Sequence, residues 1–197
     1  MPITPDASKL DEIDLGTRII HLGLMVFGVL AWLVSGWADD YKRASHLGFT
    51  IHSWLGMGLS VSIALRLIWG LIGPESARFT RWVPYTKERL LLAWEDVLTL
   101  LKFQLPQRPL HQGLSGLVHA FGLVVFSWMA LTGTLMFTYV VPGQKMQGIM
   151  RLVKELHEMG DVAIWVFLGL HVGAVLLHAL AGDHRWRKML FLTEREL

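Results

Sequence analysis

The chain has 197 residues, 53% hydrophobic and 17% charged, with nine histidines and no cysteine. Its mean hydropathy of +0.44 places it among membrane proteins, and the lack of cysteine excludes disulfides, thiolate zinc sites, iron–sulfur clusters and covalently attached c-type haem. A formal net charge of +2 argues against nucleic acid as a partner.

From Met1 to Gly16 the chain carries Asp6, Asp11, Glu12 and Asp14 and lacks an apolar run, so no signal peptide is expected. Four hydrophobic stretches follow, at about 18–38, 46–73, 113–141 and 156–181. Each is long enough to cross a hydrocarbon core of roughly 30 Å as a helix, because backbone groups find no other partners there. The expectation is a single all-α membrane domain, an integral four-helix bundle, with lipid as its solvent.

Residues 74–112 interrupt the pattern with Arg78, Arg81, Lys87, Arg89, Lys102 and Arg108. Leu90, Leu91, Leu92, Trp94, Val97, Leu98 and Leu101 recur there at helical spacing among Glu88, Glu95 and Asp96. That pattern reads as a short amphipathic helix on the membrane surface rather than a fifth crossing. The segment holds six basic residues, against two in the 39–45 loop and three in the 142–155 loop. The positive-inside rule therefore predicts that both termini and this segment are cytoplasmic. Trp37, Trp69, Trp82 and Trp186 fall near the expected interfaces.

Ionisable residues within spans are functional candidates by default. His157 and His171 are 14 residues apart, which puts them on one helix face roughly 21 Å apart along the axis. One helix then offers a ligand to each of two stacked cofactors. His52 matches the periplasmic level of His157, and His21 the cytoplasmic level of His171. Two bis-histidine iron sites suit haem b, since two axial imidazoles saturate the iron and favour electron transfer. Gly56 and Gly160 would admit a porphyrin edge or serve as packing contacts. Arg18 and Arg66 would pair with propionates of the inner haem or snorkel to headgroups. Geometry leaves His178 open as a rival to His171. His46 points away from His52, His119 reads as a packing or interfacial residue or one facing a quinone or propionate, and His111 and His184 read as surface residues.

The sequence resembles the bacterial di-haem cytochrome b family that includes small stand-alone membrane cytochromes and the b subunits of nickel–iron hydrogenases. The residues that carry the likeness are Thr17-Arg18-Ile19-Ile20-His21, His52-Ser53-Trp54-Leu55-Gly56 leading to Arg66-Leu67-Ile68-Trp69, and His119 with Leu131-Thr132-Gly133. Leu156-His157-Glu158, Gly169-Leu170-His171 and His178 complete them. Ala179 stands where many relatives have a second histidine. The resemblance implies that His21, His52, His157 and His171 are the ligands and His178 is not.

It further implies electron transfer between a periplasmic partner, such as a c-type cytochrome or an oxidoreductase subunit, and quinone, in a bacterial inner membrane. A homodimer is a candidate assembly. Two competing classes are a stand-alone superoxide:quinone oxidoreductase, with Lys145, Arg151 and Lys154 as a basic patch, and a haem-free metal transporter.

Overall fold

The computed structural model describes residues 13–38, 46–109, 111–141, 144 and 146–192. The acidic stretch before Ile13, the basic residues of the 39–45 loop and Lys145 lie outside the described residues. The described chain is all helical. Four long helices, α1 (Leu15–Leu33), α2 (Leu47–Ile72), α5 (Leu114–Tyr139) and α6 (Ile149–Leu180), alternate with shorter ones: α3 (Phe79–Trp82), α4 (Lys87–Leu101) and α7 (Trp186–Met189).

The four long helices are apolar enough to span a membrane, and no more than 22% of any span's apolar window is buried inside the protein. The remaining apolar surface requires a hydrocarbon solvent, because water would leave it unsatisfied along its whole length.

The chain divides into two compact units, one of residues 19–66 and 123–166 and the other of residues 1–18, 67–122 and 167–197. In the first, Leu59, Ile63 and Ala130 form a buried core against which Leu24, Leu123 and Phe126 pack. Small residues bring backbones close there. A Cβ at Gly58 would stand 2.5 Å from the Phe27 ring, so α1 and α2 approach at a position only glycine fits. Polar side chains inside the spans are satisfied locally: Ser62 donates to Gly58 O at 2.9 Å, Ser60 to Gly56 O at 2.9 Å, and Thr134 to Ser60 Oγ at 3.0 Å.

In the second unit, Asp14 caps α1. Its carboxylate accepts from Thr17 N at 2.9 Å and Thr17 Oγ1 at 2.6 Å, and Trp69 Nε1 donates to it from α2 at 3.0 Å. Burial alone would raise the Asp14 pKa, but the hydrogen bonds from Thr17 and Trp69 outweigh it and hold the group below the usual carboxylate range.

Thr86 caps α4, accepting from Arg89 N. Ala93 and Asp96 face inward, while Leu91, Trp94, Leu98 and Leu101, spaced along one face, are exposed. An apolar stripe exposed beside Lys87, Arg89 and Lys102 is the pattern of a helix that lies in an interface. Asp96 is 3% exposed and accepts from Arg108 Nε at 2.5 Å and from Leu114 N at 2.8 Å, which caps α5 and ties Arg108 to α4. The hydrogen bond to Asp96 raises the Arg108 pKa above its ordinary value, against the opposing effect of burial.

Two helix ends differ from the sequence expectation. α1 stops at Leu33 instead of running to Ala38, and a single tight turn over Ser35–Trp37 follows. Ser35 and Gly36 are weak helix formers, and a Cβ at Gly48 would meet the Trp37 backbone, so the chain turns back where only a glycine admits it. α6 begins at Ile149, not near Leu156. Its first turns are held by ion pairs one turn apart, Arg151 to Glu155 at 2.9 Å and Lys154 to Glu158, and by the buried side chain of Val153.

Candidate haem ligands and their partners

His52 lies in the second turn of α2 and His157 in the third turn of α6, and in the first unit their imidazole rings meet with centroids 6.3 Å apart and planes at 85°. His52 Nδ1 is 2.9 Å from Ala31 O. A carbonyl can only accept, so Nδ1 carries the proton and Nε2 the lone pair. Ala31 is two residues from the end of α1, where the last carbonyls have no intrahelical donor.

His157 Nδ1 is 2.8 Å from Thr132 Oγ1. With the Thr132 proton directed to Trp128 O, 2.8 Å away, its oxygen would accept from His157 Nδ1 and give His157 the same tautomer as His52. Trp128 Nε1 donates to Leu156 O at 3.1 Å and joins α5 to α6 immediately before the histidine. A Cβ at Gly133 would stand 3.3 Å from His157 Cε1, so the α5 backbone itself bounds the ring.

Two imidazoles that share one metal through Nε2, with metal–nitrogen bonds of about 2 Å, stand about 6 Å apart centre to centre. The observed spacing and the engagement of both Nδ1 atoms therefore fit a bis-imidazole iron. Beside His52, a Cβ at Gly56 would meet nothing within 4 Å, which leaves open space along the helix for a flat ring. Gly160 differs: Met129 fills the position, so it is a packing contact.

Of the other expected site residues, His21 and Arg66 are half-buried in the first unit, on α1 and α2. Arg18 and His171 belong to the second. The Arg18 guanidinium lies 5.7 Å from the Phe191 ring, and its Nε is buried without a hydrogen-bond partner, an orphaned donor that an anionic group would satisfy. His171 stacks on Phe167, one turn earlier, with centroids 5.3 Å apart, and meets His119 edge-on at 4.9 Å.

His119 donates from Nδ1 to Ser115 O at 2.7 Å and contacts His111 at 4.6 Å. His111 is therefore not a simple surface residue. It is half-buried, has φ of 61°, and packs against Trp82 at 5.7 Å. His178 Nδ1 is 3.7 Å from Asp183 Oδ2. Asp183 is held below the usual carboxylate range, first by its hydrogen bond from Arg185. His46 Nδ1 accepts from Phe49 N at 3.4 Å and caps α2, and His184 is exposed.

The expected basic patch is weaker than its sequence suggests, since Arg151 and Lys154 are each paired with a glutamate. Among the described residues no group of three or more His, Cys, Asp or Glu converges as a metal site. Sequence reasoning missed the two partners that orient the outer histidines, the Ala31 carbonyl and the Thr132 hydroxyl. The first depends on where a helix ends. The second lies in the Leu131-Thr132-Gly133 motif, where a threonine bonded to its own helix gives no sign of a second partner.

No curated protein and no solved structure matches the chain. Residues 12–191 match the family model described as prokaryotic cytochrome b561. With four spans of membrane-crossing character, this protein belongs to the prokaryotic cytochrome b561 family and is a multi-pass bacterial membrane b-type cytochrome of electron transfer.

Proposed function

We propose that this cytochrome carries electrons across the inner membrane between a periplasmic redox partner and the quinone pool, using two haems b. His52 and His157 hold the outer haem and His21 and His171 the inner one, while Arg18 and Arg66 neutralise propionates. When bound, haem supplies a reversible one-electron couple. His52, His157, His21 and His171 would hold the two irons through ring nitrogens, with Ala31 O and Thr132 Oγ1 orienting the first two rings. The positive-inside balance supports cytoplasmic termini. The observation that carries the reading is the His52–His157 pair at 6.3 Å, both Nδ1 atoms engaged and both Nε2 atoms left for iron.

The inner pairing rests on the 14-residue interval and the family resemblance. The orphaned Arg18 Nε supports an anion at its side. A stand-alone superoxide:quinone oxidoreductase is less favoured, because the glutamates beside Arg151 and Lys154 cancel the field that would draw an anion.

Haem stoichiometry of the purified protein tests the reading. Wild type should carry two haems b per chain. His52→Ala or His157→Ala should lose one, and His21→Ala or His171→Ala the other. His46→Ala and His178→Ala should keep both. Loss of a haem in His178→Ala with retention in His171→Ala would show that the inner pair is misassigned.

A further inference from the structure

The two outer imidazoles are oriented by different means. His52 leans on a main-chain carbonyl that no side-chain substitution removes, whereas His157 leans on one hydroxyl, that of Thr132. Thr132 is 7% exposed, and its hydroxyl lies 2.8 Å from both Trp128 O and His157 Nδ1, so with its proton on the helix carbonyl an oxygen lone pair faces the ring. Gly133, the next residue, brings the α5 backbone close to Cε1 and Nδ1 of the same ring. The hydroxyl thus holds Nδ1 of a ring whose plane lies at 85° to that of His52.

We propose that Thr132 is a positioning residue that sets the reduction potential of the outer haem through His157. The inference rests on His157 being an axial ligand. An acceptor on Nδ1–H makes the imidazole a stronger donor through Nε2, which stabilises ferric over ferrous iron and lowers the potential. Removing the acceptor while keeping the side-chain volume should move that one potential upward. The other haem should be unaffected.

The test compares Thr132→Val, isosteric but without the acceptor, with Thr132→Ser, which retains it. The readouts are redox titration of the Soret and α bands and electron paramagnetic resonance of the ferric protein, whose largest g value responds to the angle between axial ring planes. A positive shift of one midpoint potential and a changed g value in Thr132→Val, both restored in Thr132→Ser, support the assignment. Two haems with unchanged potentials in Thr132→Val overturn it.

If Thr132→Val loses the outer haem, its retention in Thr132→Ser supports the hydroxyl's role, and its loss in both variants shows that only packing volume matters. His157→Ala separates this inference from the reading beneath it. Retention of two haems there overturns the ligation itself, whereas loss of one haem together with a silent Thr132→Val overturns only the role of Thr132.

Discussion

Replacing Asp96 with Ala removes two hydrogen bonds at once. The carboxylate is 3% exposed, and it holds Leu114 N at the start of α5 and Arg108 Nε from the preceding segment. Loss of a helix cap costs about 1 kcal/mol. The stranded guanidinium adds a further ~1 kcal/mol rather than the full penalty of a buried charge, because the Arg108 side chain is 27% exposed and retains a bond to Glu95 at 2.9 Å.

For a chain of this size a loss of about 2 kcal/mol corresponds to a fall in Tm of about 4–8 °C. The assay is thermal unfolding of the detergent-solubilised holoprotein, followed by tryptophan fluorescence. Asp96→Asn should recover about half of the loss, since its amide oxygen still accepts from Leu114 N while the ion pair is gone. A Tm within 1 °C of wild type for Asp96→Ala, on the scale of ~2–4 °C per kcal/mol, would refute the assignment of Asp96 as cap and anchor.

Further outcomes follow from the same geometry. Gly56→Leu, placed in the open space beside His52, should lower outer-haem content while leaving the inner haem in place, as read by haem-to-protein ratio. Gly160→Ala meets only the flexible end of Met129 and should retain both haems. His46→Ala should lower stability by about 1 kcal/mol through the lost cap, measured by thermal unfolding, with no change in the visible spectrum. Asp14 and Asp183 are both held below the usual carboxylate range, so their contribution to stability is complete above about pH 4 and is lost as pH falls through their lower folded values. In consequence Asp183→Asn should melt earlier than wild type at pH 7, with the gap closing toward pH 2, followed by circular dichroism.

The four spans were legible because bilayer thickness imposes a length and a composition that few other constraints resemble. The amphipathic helix between α2 and α5 was legible from its period alone, since Leu91, Trp94, Leu98 and Leu101 fall on one face. Helix ends were harder to read. The stop at Leu33 depends on the chain reversing against Gly48, a contact remote in sequence, and the start at Ile149 depends on side-chain pairs that hydropathy scores as polar loop.

Depth matching predicts His52 opposite His157, since both lie a few turns inside their helices, and the two ring centroids stand 6.3 Å apart. What orients those rings was not legible. A backbone carbonyl has no sequence signature, and Thr132 looked like any threonine bonded back to its own helix. His111 and Trp82 come together through the Asp96 anchor, which joins residues 12 and 18 positions apart that no local pattern links.

The termination of α1 has an electrochemical side. A helix carries about half a negative charge at its carboxyl end, concentrated on the carbonyls left without donors. Because Ala31 O is one of these and touches His52, that partial charge is delivered through an imidazole to whatever cation sits on the far nitrogen. With His52 holding a haem iron as proposed, the last turn of α1 would act as a fixed counter-charge for the oxidised metal, supplied by the main chain and insensitive to pH.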